Sequence, residues 1–187
     1  MKKQLNMERK LYTLVILVQD VPGVLSQVAR LFSRKGYNIE SIAVGPTEGA
    51  NTSRMTIEIM ATRAATELLC NQLRKLFPVH SVCILSDEAI RRELVFIKVG
   101  AATAEARSEV VQIANIFRAN IIDVSTRSMT LTVIGEESKV EAIHRLLQKS
   151  TVLEMVRAGI VALERGDNTI NDETKEKGEF NYGKTVL

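Results

Sequence analysis

The apolar residues of the chain repeat one order of periodicities twice. Apolar runs typical of β-strands and apolar stripes at helical spacing follow each other as strand, helix, strand, strand, helix, strand in residues 10–86 and again in 91–165. A βαββαβ unit folds into an antiparallel four-stranded sheet with both helices on one face. The sequence therefore predicts an α+β protein made of two tandem ferredoxin-like domains.

The first unit has clear start and stop signals. A β-branched run at 11–18 ends in a turn at 20–23, and the helical stripe that follows ends before Gly36. Turn-forming residues at 45–51 join two strand-like runs, and Thr62 is placed to cap the second helix. The remaining strands are predicted at 38–44, 55–59 and 79–85.

The second unit restarts after Asp87 and Glu88. Strands are predicted at 94–99, 121–124, 129–134 and 156–163, and Ser138 with Glu141 has the spacing of a capping box for the last helix. Two helices cover only one face of a four-stranded sheet, so we expect an uncovered face or edge that binds partners. Residues 166–187 are polar, and we predict a mobile tail.

Composition limits the class of protein. The 25 basic and 22 acidic residues are interleaved, which argues against a nucleic-acid interface. No apolar run reaches the length of a membrane span, and residues 1–10 lack the apolar region of a secretory signal, so we expect a cytoplasmic protein that binds neither nucleic acid nor membrane. Cys70 and Cys83 lack metal-site spacing, and we expect buried free thiols.

Catalytic and metal-binding signals are weak throughout the sequence. The two histidines, His80 and His144, have no nucleophile or carboxylate at an informative spacing. None of the common phosphate-binding, dinucleotide-binding, zinc-protease or serine-hydrolase motifs occurs. We therefore predict no catalytic residue, no metal site and no cofactor bound by this chain.

The junction between the first strand and helix is the best candidate for a binding site. Backbone amides at a helix start have no partner within the helix and carry the positive end of its dipole, which suits a carboxylate. A carboxyl side chain there suits an ammonium group, and apolar neighbours suit an aliphatic side chain. Together these features describe an amino-acid ligand. The candidate residues are Asp20, Val21, Pro22, Gly23, Val24 and Leu25.

A purely structural interpretation of the same residues remains open at this point. Asp20 is also placed to cap the helix, and Pro22 with Gly23 forms an ordinary turn. Asn38 is likewise placed to bind local backbone groups at the entrance of a strand.

These motifs carry a family resemblance. The Asp-x-Pro-Gly-Val-Leu turn before an amphipathic helix resembles the ACT domain, a βαββαβ module that binds amino acids and regulates metabolic enzymes. Three further segments resemble more specifically the regulatory small subunit of acetolactate synthase. They are Gly36-Tyr37-Asn38-Ile39-Glu40-Ser41, Gly45-Pro46-Thr47 and Ser53-Arg54-Met55-Thr56-Ile57. In the second unit the resemblance continues through Arg92-Glu93-Leu94 to Arg165-Gly166-Asp167, so it spans residues 10–167.

The resemblance implies a regulatory role. In the family, the first ACT domains of two chains associate side by side and bind a branched-chain amino acid, typically valine, at their interface. It implies that Asp20, Gly23, Val24 and Leu25 contribute together with Asn38 and Ile39 on the second strand. It also implies a large catalytic subunit that carries thiamine diphosphate, a divalent metal and FAD. The resemblance further implies that this chain activates the large subunit and makes it sensitive to feedback inhibition.

Two alternatives belong to other classes. One is an ACT-type sensor that regulates a different biosynthetic enzyme or a transcription factor, although no DNA-reading motif is visible. The other is a small ferredoxin-like enzyme, against which the lack of a convergent catalytic group argues.

Overall fold

The computed structural model describes residues 8–170, and this part of the chain contains eight strands and four helices. The elements are β1 (Lys10–Gln19), α1 (Val24–Arg34), β2 (Ser41–Pro46), β3 (Thr52–Ala61), α2 (Arg63–Leu73), β4 (Val79–Ile84), β5 (Ile90–Gly100), α3 (Ala104–Phe117), β6 (Asn120–Val124), β7 (Ser128–Gly135), α4 (Glu137–Leu147) and β8 (Val152–Leu163). The predicted order βαββαβ, repeated once, is confirmed.

The chain divides into two compact units. Residues 8–90 together with 162–170 form the first unit, and Arg91–Val161 form the second. The proposal that residues 10–86 bind an amino acid and dimerise stays a prediction. Of the tail predicted at 166–187, residues 171–187 lie outside the described part of the chain.

The first unit is built around β1. Its sheet has the order β2-β3-β1-β4 with antiparallel neighbours, so β1 is paired on both sides. Alternate residues of β1, including Leu14 and Ile16, are fully buried against the helices. Val28 and Phe32 of α1 and Leu69 of α2 complete this core, because apolar residues three or four positions apart share one helix face.

The other face of the first sheet is buried as well. Thr13 of β1 and Glu58 of β3 point to this face, both are less than a tenth exposed, and the Thr13 hydroxyl donates a hydrogen bond to Glu58 Oε1 at 3.0 Å. Arg54, on the same face, donates to the carbonyl oxygen of Ala162 at 2.5 Å. Thr13 and Glu58 are thus shielded on this face, whereas β2 and β4 are the outer strands of the sheet and provide the edge that the expectation gave as its alternative.

The second sheet has the order β6-β7-β5-β8. Its helix-facing residues, such as Val95 and Leu131, are buried, whereas Leu94, Phe96 and Ile134 on the other face are partly exposed. β6 differs from its counterpart in the first unit. Its pairing with β7 shifts register between Ile121 and Asp123, whereas β2 pairs with β3 over six residues without a shift.

Local signals were predicted with mixed success. Thr62 caps α2, since its side chain accepts a hydrogen bond from the amide of Ala65 at 3.3 Å. The capping box at Ser138 and Glu141 is wrong, because α4 already begins at Glu137 with Glu136 at the cap position, so Ser138 lies inside the helix. Cys70 and Cys83 are buried thiols that form no disulfide within residues 8–170. None of the helices described in residues 8–170 combines the length and apolar character that a membrane crossing requires.

A partly buried ion pair ties β8 to β5 in the second unit. The guanidinium of Arg157 donates to both carboxylate oxygens of Glu93, with nitrogen to oxygen distances of 2.5 to 3.0 Å. Glu93 is 3% exposed, whereas the Arg157 side chain is 42% exposed. The hydrogen bonds to Glu93 raise the pKa of Arg157 above its ordinary value.

Removing the arginine should therefore destabilise the second unit. In Arg157→Ala the buried Glu93 carboxylate loses its partner, and we expect the free energy of unfolding to fall by roughly 3 kcal/mol in urea denaturation. Lys98→Ala is the control, because it removes only the exposed pair of Lys98 and Glu154 at 3.7 Å and should cost less than about 0.5 kcal/mol. Equal losses in the two variants would contradict this interpretation.

Candidate functional site

Two backbone hydrogen bonds fix the end of β1. The amide of Gln19 donates to the carbonyl oxygen of Pro78, and the amide of Asp20 donates to that of Asn51, both at 2.8 Å. They bring together the turn between β1 and α1, the loop between β2 and β3, and the connection between α2 and β4. The predicted binding turn thus lies at one end of the first sheet.

The turn itself leaves the start of α1 uncapped. Gly23 occupies the cap position in the left-handed region, with φ of 88°, and no side chain caps the helix. The first amide bonded in helical register is that of Gln27, which donates to the carbonyl oxygen of Gly23 at 3.1 Å. The amides of Leu25 and Ser26 donate to no acceptor among residues 8–170. The alternative in which Asp20 caps the helix is therefore wrong.

The side chains of the turn are mostly exposed. Asp20, Val21, Pro22 and Leu25 are open to solvent, Val21 and Leu25 at about half of their full area (49% and 46%). Val24 differs, since its side chain is 3% exposed and belongs to the core. The structure therefore places a carboxylate, two aliphatic side chains and unpaired amides around one turn, and Val24 offers no side-chain wall for a ligand.

Asn38 and Ile39 precede β2 and do not lie on it, contrary to the sequence prediction. α1 ends at Arg34, Gly36 follows in the left-handed region, and the amide of Tyr37 donates to the carbonyl oxygen of Phe32 at 3.0 Å, so residues 35–40 connect the helix to β2. Asn38 is exposed and its amide group donates to Glu40 Oε1 at 3.0 Å. The Ile39 side chain is half-buried against the core.

The two halves of the predicted site are separated by α1. This helix has eleven residues and is therefore about 16 Å long. The turn at 20–25 lies before its first residue, whereas Asn38 and Ile39 follow its last turn. Within one chain the structure does not bring the two halves together.

Other candidates for chemistry are sparse in the described part of the chain. His80 is exposed on β4 and His144 is half-buried on α4. Residues 8–170 contain no group of three or more His, Cys, Asp or Glu side chains arranged to hold a metal ion.

Comparison with known proteins agrees over both units. Residues 14–81 match the model of the AHAS small subunit-like ACT domain, and residues 92–166 match that of the small subunit of acetolactate synthase. The acetolactate synthase small subunit of Mycobacterium bovis is 46% identical over 165 residues, which cover 88% of this chain and 98% of that protein. A probable acetolactate synthase small subunit of Archaeoglobus fulgidus is 42% identical over 156 residues, covering 83% and 98%.

A solved structure supports the same relationship. The crystal structure of the acetolactate synthase small subunit from Thermotoga maritima has a TM-score of 0.79 and 37% sequence identity, and the match covers 85% of this chain and 99% of that one. Similarity of this level over nearly the whole described chain, in sequence and in fold, shows that the chain belongs to the family of acetolactate synthase small subunits.

Proposed function

We propose that this chain is the regulatory subunit of an acetolactate synthase in branched-chain amino acid biosynthesis. It activates a large catalytic subunit in the cytoplasm and makes that subunit sensitive to feedback by a branched-chain amino acid, foremost valine. Thiamine diphosphate, the divalent metal and FAD belong to the large subunit. The observation that carries the regulatory part is the uncapped start of α1, where unpaired amides adjoin Asp20 and exposed aliphatic side chains.

The turn has a partner for each part of an amino acid. The unpaired amides of the first turn of α1 and the positive end of the helix dipole attract the ligand carboxylate. The Asp20 carboxylate, exposed beside them, attracts the ammonium group. Val21 and Leu25 offer aliphatic surface to the ligand side chain. An open position at Gly23, where an added Cβ would meet no atom within 4 Å, leaves room for the ligand.

A second chain is needed to complete the site with Asn38. β2 is an outer strand of the first sheet. The amide of Thr47 donates to the carbonyl oxygen of Thr52 on β3, and amides alternate in direction along an antiparallel strand, so the amides of Ile42 and Val44 point away from β3. We infer that two chains pair through these edges, antiparallel about a two-fold axis. β2 starts at the end of the sheet where α1 ends. The second chain would therefore carry its Asn38 to the end where the first chain has the turn at 20–25.

Reconstitution with the cognate large subunit tests the proposal. With every cofactor supplied, we expect no acetolactate from pyruvate with this chain alone, and a several-fold increase in the rate of the large subunit when the chain is added. Valine should then lower the rate of the complex. Turnover by the chain alone, with large subunit rigorously excluded, or a large subunit that does not respond to it, would contradict the proposal.

Substitutions at the two halves of the site test effector binding. We expect Gly23→Asp to abolish inhibition by valine because it sets a carboxylate against that of the ligand, whereas Gly23→Asn, of equal size and equally tolerant of positive φ, should retain more of it. Asn38→Ala removes a polar partner, and the loss of about 1.5 to 3 kcal/mol equals a typical allosteric coupling free energy. Thermal melts and activation should stay near wild type. If both variants keep the wild-type inhibition curve, the site is misplaced.

Mixing the two variants tests whether the site spans two chains. In a mixed pair, one site carries both substitutions and the other carries neither. Co-refolded Gly23→Asp and Asn38→Ala chains should therefore regain part of the valine inhibition that each lacks alone, since about half of the pairs are mixed. A mixture as insensitive as its components would show that the site lies within one chain.

A proline on the free edge of β2 tests the pairing. Val44→Pro removes an amide that points away from β3, and edge strands tolerate proline, so the fold should survive. We expect sedimentation of this variant to give single chains and valine inhibition to be lost, while Val44→Thr stays paired and sensitive. Unchanged sedimentation of the proline variant would exclude β2 as the contact.

A further inference from the structure

The two units share one pair of backbone hydrogen bonds at the turn between their first strand and first helix. All four bonds measure 2.8 Å. They are Gln19 N to Pro78 O and Asp20 N to Asn51 O in the first unit, and Gly100 N to Thr151 O and Ala101 N to Arg127 O in the second. This match sets Ala101 at the position of Asp20, and it sets the β6–β7 loop at the position of the β2–β3 loop.

The helix starts at these equivalent turns are built differently. In the second unit Thr103 takes the cap position of Gly23, and its hydroxyl accepts a hydrogen bond from the amide of Ala106 at 3.2 Å. Gln27 in the first unit and Arg107 in the second each lie four residues beyond the cap. The amide of each donates to the carbonyl oxygen of its cap residue at 3.1 Å. Gln27 and Arg107 are therefore equivalent positions.

Arg107 bridges the turn and the loop of the second unit. Its Nε donates to the carbonyl oxygen of Ala101 at 3.1 Å, and its Nη2 donates to those of Ser125 and Thr126, each at 2.7 Å. Gln27 makes no side-chain hydrogen bond within residues 8–170. In the first unit, the turn and the loop are thus joined by backbone only, through Asp20 and Asn51.

We infer that the Arg107 guanidinium closes this turn of the second unit from within. It donates to three backbone carbonyl oxygens, which together form a cradle, and it does so at the place that corresponds to the open turn of the first unit. A planar cation with donors in a fixed fork fits such a cradle, because each carbonyl receives a charge-assisted hydrogen bond. The cradle therefore binds a guanidinium, and the chain itself supplies that group as the side chain of Arg107. An amino-acid effector finds no uncapped helix start at this turn, and Ala101 stands where the first unit has the Asp20 carboxylate.

Hydrogen exchange tests the closure. Arg107→Gln makes the position resemble Gln27, and we expect amide exchange in residues 125–128 of the full chain to accelerate at least about tenfold, because the loss of even one of the three charge-assisted hydrogen bonds has an effect of that size. Arg127→Gln is the matched control, because it removes the same charge from the same loop while the Arg127 side chain makes no hydrogen bond within the described residues. Exchange at the wild-type rate in Arg107→Gln would overturn the inference.

Chemical rescue tests the cradle. In Arg107→Ala, millimolar ethylguanidinium should slow exchange in residues 125–128 back toward the wild-type rate, and ethylammonium at the same concentration should do so less well. Wild type should respond to neither. If Arg107→Ala does not fold, Arg107→Lys serves instead, and its exchange should lie between those of wild type and Arg107→Gln. Rescue that fails, or that ethylammonium matches, would overturn the assignment of the cradle to a guanidinium.

The number of effector sites follows from this closure and rests in part on the proposed function. Calorimetric titration of the full chain with valine should give one equivalent per chain, because only the first unit has an open turn. Two equivalents per chain would overturn the closure of the second unit. Titration without any binding would contradict the proposed effector site, whereas the closure would still be decided by the exchange rates of Arg107→Gln.

Discussion

The end of β1 is constrained from several sides. β1, like β3, has partners on both sides, its inner residues are fully buried, and the amides of Gln19 and Asp20 are bonded to two other connections. The chain must leave the sheet at that place and enter α1 at once. Gly23 permits this with a positive φ that other residues adopt only at a cost. The uncapped amides that support the proposed effector site follow from this geometry.

Much of the fold was predictable because it is encoded in local periodicity. The β-branched run before Asp20, the helical stripe that ends near Gly36 and the cap at Thr62 each match the structure to within a few residues. These signals act through neighbouring residues, so a single sequence reveals them. The capping box at Ser138 was wrong because α4 begins two residues earlier than the pattern indicates, with Glu136 at the cap position, and Ser138 therefore lies inside the first turn.

The site was predictable only in part. The turn around Gly23 follows from its own residues. The position of Asn38 does not, because nothing in the sequence shows how many residues connect α1 to β2, and Asn38 lies before the strand and not on it. The role of Arg107 was invisible for a different reason. Its partners are the carbonyl oxygens of Ala101, Ser125 and Thr126, and a backbone carbonyl has no residue type to recognise. The two turns could be matched from the repeated pattern, and the hydrogen bonds then give the match residue by residue.

The register shift in β6 bears on how chains of this kind avoid open-ended assembly. β2 and β6 are equivalent outer strands, and a chain with two regular outer strands of this type could add neighbours at both, which leads to filaments. A bulge bends a strand and twists its edge away from a would-be neighbour. The irregular step between Ile121 and Asp123 thus disfavours growth at one edge. The pairing that we propose at β2 uses the regular edge of both chains, which leaves no such edge for a third chain.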